Sequence, residues 1–175
     1  EKVIRNSLII DEGDAYNNVL LDKSINAIKS RGIFKSVKSN TKVDKFDNQK
    51  KIIDITVEEQ PTGEIFAGAG TGTSGANLTA GIKENNYLGK GIRLSTNLSV
   101  SEDELKGKFS VVNPNYKNTD RSINTTLEST TSDFLSTGGF KTSRTGFGIG
   151  TGFEQYDDFY VNIDISAYYE KLETT

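Results

Sequence analysis

The chain has 175 residues, contains neither cysteine nor histidine, and carries a formal net charge of −3. The missing residue types exclude thiolate or imidazole metal sites, cysteine nucleophiles and any histidine-containing triad. The charge gives no basic footprint for nucleic acid, and the chain has no apolar run long enough for a transmembrane helix.

The first 60 residues predict a mixed α/β unit. The apolar spacing between Glu1 and Ile10 is roughly helical, and a longer helix is expected at residues 18–30. We expect the buried stripe of this helix to be Val19, Leu20, Ile25 and Ile28, and Arg31-Gly32 to end it. Strands are predicted at 33–43 and 51–59, so that the predicted order is helix, helix, strand, strand.

From Gly63 onward, apolar and polar residues alternate in seven segments. The segments are residues 63–72, 76–83, 92–100, 105–111, 123–128, 146–153 and 159–167. Both a half-buried antiparallel sheet and a membrane barrel give this period of two. Several segments approach the nine to eleven residues that barrel strands need, and their polar faces are charged. Aromatic residues lie near strand ends. The pattern favours a barrel, with a soluble β-sandwich as the alternative.

Glycines mark the first of these strands. Gly70 to Gly75 matches G-x-G-x-x-G, but a phosphate loop requires a helix afterwards. The residues after Gly75 alternate like a strand, and the segment from Gly146 repeats the pattern within another strand. The glycines at 68, 70 and 72 therefore leave one strand face without side chains. They either relieve crowding or keep the strand weakly held, and the sequence leaves both explanations open.

Longer stretches of the chain resemble a known family. The segments SRGIFKSVKSNT and IIDITVEEQPTG resemble the end of a polypeptide-transport-associated (POTRA) domain that leads into a barrel strand. GAGTGTSGANLTAGIKENNYLGKGIRL and FSVVNPNY resemble the start of the barrel in BamA-type outer-membrane assembly factors and their superfamily. The most specific pieces are Gly-x-Gly-x-Gly in the first strand, Asn86-Tyr87-Leu88-Gly89-x-Gly91, and Asn113-Pro114-x-Tyr116.

This resemblance implies an architecture and a location. Residues 1–60 would be the last POTRA domain without its first strand, and residues 61–175 the N-terminal half of the barrel. The fold class would be a partial α+β POTRA domain followed by about seven of sixteen antiparallel transmembrane strands. The N-terminal part would lie in the periplasm of a Gram-negative cell. Turns at 85–90, 113–120 and 155–158 would then be periplasmic, and those at 73–74, 101–103 and 133–141 external.

The resemblance also implies a function without catalysis or a cofactor. The first barrel strand would template client strands at a lateral seam during outer-membrane protein insertion. The templating edge would consist of Ile65, Phe66, Ala67, Gly68, Ala69, Gly70, Thr71 and Gly72. Partners would be client outer-membrane proteins, accessory periplasmic lipoproteins and outer-membrane lipid, but no nucleic acid. A two-partner-secretion transporter of the same fold and a soluble all-β adhesion module are the alternatives.

The turn between the two predicted helices is acidic. Asp11, Glu12 and Asp14 lie where the family's last POTRA domain meets a lipoprotein, so the resemblance implies a contact with a basic partner surface. The alternative is a solvated cluster at the start of a helix.

Overall fold

The computed structural model describes residues 1–72, 75–156 and 159–175. Its helices are α1 (Lys2–Arg5), α2 (Asn18–Ser30) and α3 (Leu135–Gly138). The strands are β1 (Phe34–Val43), β2 (Lys51–Glu59), β3 (Gly63–Gly72), β4 (Gly75–Tyr87), β5 (Ile92–Ser101), β6 (Glu104–Asn113), β7 (Arg121–Phe134), β8 (Phe140–Tyr156) and β9 (Phe159–Thr174). Within the described residues, no helix is long and apolar enough to cross a membrane.

The helix α2 begins and ends at the expected residues, but its buried face differs from the prediction. The Asn17 side chain caps it by accepting a hydrogen bond from the backbone N–H of Val19 at 2.8 Å. Val19 is 63% exposed, and the buried residues are Leu21, Ser24, Ile25 and Ile28. This face is buried because its residues have helical spacing. Burial of Ser24 is possible because its hydroxyl donates to Leu20 O and accepts from Ile9 N.

The same serine explains why the first predicted helix is short. The helix α1 ends at Arg5, so the expectation of a helix up to Ile10 is wrong. The backbone N–H of Ile9 donates to Ser24 Oγ at 2.9 Å rather than to a helical carbonyl. The segment after α1 is thereby tied to α2.

The strands form two separate sheets. Strands β1 and β2 make an antiparallel pair against which α2 packs, and Leu21, Ile25, Ile28 and Val37 form the core between them. Strands β3 to β9 form a second sheet in sequential order, with every neighbouring pair antiparallel. The prediction of a mostly antiparallel β-structure is confirmed.

The pairing registers of the second sheet separate its faces cleanly. One row across all seven strands is Ile65, Ile82, Thr96, Phe109, Leu127, Phe147 and Ala167. The adjacent row is Glu64, Lys83, Ser95, Ser110, Thr126, Gly148 and Ser166, and it points to the other face. The sheet therefore has one largely apolar face and one polar face.

Some strands extend into predicted turns. Strand β7 ends only at Phe134, and Asp133 pairs with Lys141 through a 2.7 Å ion pair instead of lying in a turn. Residues 85–87 belong to β4. The predicted turn at 73–74 and the last two residues of the one at 155–158 lie outside the described residues. In β7 the extension continues the pairing with β8 as far as Phe134 opposite Phe140.

Burial is distributed very unevenly between the two sheets. Every hydrophobic residue of the buried core lies between Ile10 and Val37. Among the described residues after residue 60, the buried ones are all glycines: Gly81, Gly91, Gly146, Gly150 and Gly152. Large apolar side chains on the second sheet remain exposed, including Ile65 at 82% and Ile165 at 69%. No hydrophobic core covers that face of the sheet within the described part of the chain.

The glycines of β8 let its neighbours meet across the strand. A Cβ atom at Gly150 would overlap the side chains of Asp164 and Asn124. With the glycine present, Asn124 Nδ2 donates to Asp164 Oδ1 at 2.9 Å, which joins β7 to β9 over β8. The hydrogen bond between Asn124 and Asp164 therefore requires that residue 150 have no side chain.

We therefore expect Gly150→Ala to destabilise the sheet, by about 1–3 kcal/mol as is typical of overpacking. Gly148→Ala is the matched control, because a Cβ two residues away on the same face would make only ordinary contacts of 3.7 Å or longer. The measurement is the temperature at which the detergent-solubilised protein that contains this chain loses its folded gel mobility. Equal unfolding temperatures for the two variants would contradict this explanation.

Candidate functional site

The candidate site is the edge of β3. Among the described strands only β4 pairs with β3, in an unbroken register from Gly63 opposite Glu84 to Gly72 opposite Gly75. The backbone N–H and C=O groups on the other edge of β3 have no strand partner in the described part of the chain. β4 rather than a helix follows β3, so the G-x-G-x-x-G match lacks the helix that a phosphate loop requires, as the sequence indicated.

The eight predicted edge residues all lie on this strand and alternate between its faces. Ile65, Ala67, Ala69 and Thr71 share the largely apolar face, whereas Phe66, Gly68, Gly70 and Gly72 share the polar face. A Cβ at Gly68 or Gly72 would have no described atom within 4 Å. One at Gly70 would lie 3.2 Å from Asn77 Oδ1, the mobile end of a side chain.

These distances bear on the two explanations for the glycines. Crowding does require glycine at Gly81, where a Cβ would overlap the Phe66 ring and Thr96 O. The described residues impose no comparable requirement at Gly68 or Gly72. Within the described sheet, steric relief therefore does not explain Gly68 and Gly72, whereas a Cβ at Gly70 would require the Asn77 side chain to shift slightly. The open space at Gly68 and Gly72 favours the weak-strand hypothesis.

The beginning of β3 is held more firmly than its end. The Phe66 ring lies over Gly81, and Lys83 Nζ lies 5.4 Å from the ring centroid, a cation–π distance. Just before the strand, the Thr62 hydroxyl bonds to the Glu84 carboxylate, and Thr62 O accepts from Asn85 N at 3.3 Å. The side-chain anchors of β3 thus lie at residues 62–66, and the glycine row follows them.

The sequence analysis did not identify this anchor. It placed Phe66 only on the templating edge. The signal was nevertheless available, because the turn predicted at 73–74 implies a hairpin register with Phe66 opposite Gly81, and β3 and β4 pair in that register.

The acidic turn is partly neutralised by the chain itself. Glu12 Oε1 accepts a hydrogen bond from Arg5 Nη1 at 2.8 Å, and the same arginine contacts Glu1 at 3.1 Å. The hydrogen bonds to Glu12 and Glu1 raise the pKa of the Arg5 guanidinium. Asp14 Oδ2 accepts from Asp11 N at 2.9 Å and thereby closes the turn. The three carboxylates lie together on the surface, as the sequence predicts, but Glu12 already has a cationic neighbour.

This turn borders a cleft in the first 60 residues. The cleft has a volume of about 680 Å³, with Asp11, Glu12 and Asp14 along one rim. Ile52, Ile53 and Ile55 of β2 also line it. The surface near the turn therefore combines carboxylates with apolar side chains.

Comparisons with known proteins fit this architecture. A crystal structure of BamA from Haemophilus ducreyi lacking POTRA domains 1–3 superposes with a TM-score of 0.82 at 21% identity, covering 98% of this chain and 33% of that one. CdiB from Acinetobacter baumannii superposes with a TM-score of 0.60 at 11% identity, covering 98% of this chain and 35% of that one. This chain thus spans about a third of each protein. At these identities the likeness shows the fold.

Family comparison gives the assignment. Residues 1–60 match the POTRA family, described as surface antigen variable number repeat. Residues 86–175, just over half of the chain, match the Omp85 superfamily domain. The resemblance seen in the sequence is thereby confirmed, and the chain belongs to the Omp85 superfamily.

Proposed function

We propose that this chain is part of an outer-membrane protein that assembles other outer-membrane β-barrels, with β3 as the templating strand. The observation that carries the proposal is the combination found on β3: an edge without a strand partner among the described residues, and a bare glycine row. Residues 61–175 would form part of the barrel wall, and residues 1–60 would face the periplasm.

The exposed apolar face of the second sheet supports a membrane location. A face of this size without a covering core is too apolar to remain in water, where monomeric proteins rarely expose patches beyond a few hundred Å². Transmembrane barrels place such a face against lipid and the alternate polar face toward an aqueous lumen. The described sheet has one largely apolar and one polar face, with Lys83, Lys108 and Glu128 on the polar side, and this supports the proposal.

The proposed mechanism is strand addition. Free N–H and C=O groups on the edge of β3 would pair with an incoming client strand, and main-chain hydrogen bonds make few demands on the client sequence. Ile65, Ala67 and Ala69 would continue the apolar face onto the client. A weakly held strand suits this role, because each glycine costs roughly 0.5–1 kcal/mol relative to alanine in an ordered element.

The other edge of the described sheet has different properties. Strand β9 has 16 residues and presents bulky side chains such as Tyr168, Tyr169 and Ile165, whereas β3 has ten residues. We therefore assign exchange of strands to β3 and continuation of the barrel to β9.

The double variant Gly68→Val/Gly70→Val should slow the assembly of client barrels, because two β-branched side chains stiffen β3. The measurement is the rate at which a co-expressed client acquires heat-resistant folded mobility in cells. Gly107→Val is the control, since Gly107 lies in the middle of the sheet and a Cβ there would have no described atom within 4 Å. Client assembly at the normal rate in the double variant, with the protein present in the outer membrane, would refute the role of the glycines.

We also propose that the acidic turn contacts an accessory lipoprotein through a basic surface. Glu12→Lys should reduce co-purification of such lipoproteins, because it reverses one charge of the cluster and also places a cation beside Arg5. Glu59→Lys, at the exposed end of β2, applies the same charge change elsewhere in the first 60 residues. Unchanged co-purification with Glu12→Lys would remove this contact from the proposal.

A further inference from the structure

Two short turns lie at the end of the second sheet that faces the N-terminal unit. The first is Leu88–Gly91 between β4 and β5, and the second is Pro114–Asp120 between β6 and β7. They contain two of the sequence pieces that carry the family resemblance, Asn86-Tyr87-Leu88-Gly89-x-Gly91 and Asn113-Pro114-x-Tyr116. The templating role proposed for β3 uses neither of them.

One arginine joins the second turn to the N-terminal unit. Arg31, the residue that caps the end of α2, donates through Nη2 to Asn115 Oδ1 at 2.6 Å. Its Nε donates to Ser7 Oγ at 3.0 Å, and Ser7 Oγ in turn donates to Val3 O at 2.8 Å. The guanidinium therefore connects α1, α2 and the turn before β7. A charge-assisted hydrogen bond of this kind is among the stronger polar contacts in proteins.

Two further contacts lie beside it. Asn6 Nδ2 donates to Asn118 Oδ1 at 3.4 Å, again between the N-terminal unit and the second turn. At the first turn, a Cβ on Gly91 would lie 3.4 Å from both methyl groups of Val3. Gly91 has a φ of +67°, so glycine serves the backbone conformation, and the Val3 methyl groups of α1 lie at ordinary contact distance from that Cβ.

Both turns are braced internally in conformations that cost energy. Leu88, Lys117 and Asn118 all have positive φ, which is uncommon for residues other than glycine. Asn86 Oδ1 accepts from Gly91 N at 2.8 Å, and Asn115 Nδ2 donates to Thr119 O at 3.3 Å. The second bond orients the Asn115 amide so that its oxygen faces Arg31. The turns are thus built to present fixed groups to the N-terminal unit.

The surroundings of Arg31 favour its hydrogen bond to Asn115. The contact borders a cleft of about 750 Å³ whose lining includes Arg31, Arg93, Asn115 and Asp120. Partial burial lowers the pKa of Arg31, Arg93 lowers it further, and Asp120 opposes the shift. Arginine nevertheless stays charged at neutral pH, so its partly desolvated charge needs the acceptor that Asn115 supplies.

We propose that Leu88–Gly91 and Pro114–Asp120 form a seat that fixes the orientation of the N-terminal unit, with Arg31 as the side chain that locks it. The covalent connection alone, residues 60–62 between β2 and β3, is a single attachment about which the unit can swing. The second turn lies between the fourth and fifth strands of the sheet, roughly 17 Å from β3 at about 4.8 Å per strand. Two attachments this far apart define an orientation. The inference does not depend on whether β3 templates clients.

The test is a distance distribution measured by double electron–electron resonance on the full-length protein in nanodiscs. Spin labels replace Phe46, which is 99% exposed at the tip of the β1–β2 hairpin, and Tyr156, which is 71% exposed at the end of β8. The chain has no cysteine of its own, so labelling within it is specific. The unaltered protein should give one narrow distribution.

Arg31→Ala and Asn115→Ala should each increase the population outside that distribution by about tenfold, the effect of losing one charge-assisted hydrogen bond. The double variant should do no more than either single one, because both remove the same contact. Lys29→Ala, which removes an exposed cation from the last turn of the same helix, should leave the distribution narrow.

Arg31→Ala alters the N-terminal unit, and Asn115→Ala alters the second turn. If one variant disturbs local folding, the other still tests the contact. A distribution that stays narrow in both would overturn the seat. Broadening by Arg31→Ala alone would also overturn it, since Arg31 would then act only within the N-terminal unit through Ser7.

Discussion

The structure depends on one constraint: within the described residues, the second sheet has no protein core on its apolar face. Its described buried residues are glycines, and side chains such as Ile65, Ile165 and Leu78 are more than half exposed. A soluble sandwich would cover that face with a second sheet. The pairing of backbone groups from β3 to β9, with an apolar face left for lipid, is the arrangement that a barrel wall requires. The alternation of faces over seven strands follows from the same need.

The glycines of this sheet have three different kinds of surroundings. In β8 it lets side chains of β7 and β9 meet, as in the bond between Asn124 and Asp164. At Gly81 it makes room for Phe66 and so anchors the start of β3. At Gly68 and Gly72 the described neighbours leave open space. An identical sequence pattern of alternating glycines therefore has different physical causes in β3 and β8.

Much of the fold follows from the sequence by simple rules. A period of two predicts the strands, and the predicted bounds of the first barrel strand, residues 63–72, are those of β3. Hydrophobicity alone did not predict which face of α2 is buried. Buried Ser24 belongs to the core face because of its hydrogen bonds to Leu20 and Ile9. A polar residue at a helical spacing is normally assigned to the solvent face.

The candidate sites also differ in how far the sequence predicted them. The eight residues of β3 were placed correctly on one strand, since alternation determines both the strand and its faces. The contact between Arg31 and Asn115 joins residues 84 positions apart, and local pattern carries no information about such a pair. The acidic turn was found as a cluster, but the neutralising Arg5 lies on another element. Long-range contacts of this kind require the folded chain.

The central claim is that β3 is the edge that receives client strands. The most direct measurement is disulfide formation in intact cells between a single cysteine at Ile65, Ala67 or Ala69 and one in the last strand of a co-expressed client barrel. The account predicts cross-links that depend on register, strongest for directly opposed positions. Absence of cross-links at every register, with the protein still in the outer membrane, would contradict it and favour a transporter of the same fold. A protein that remains soluble without detergent would contradict the membrane assignment itself.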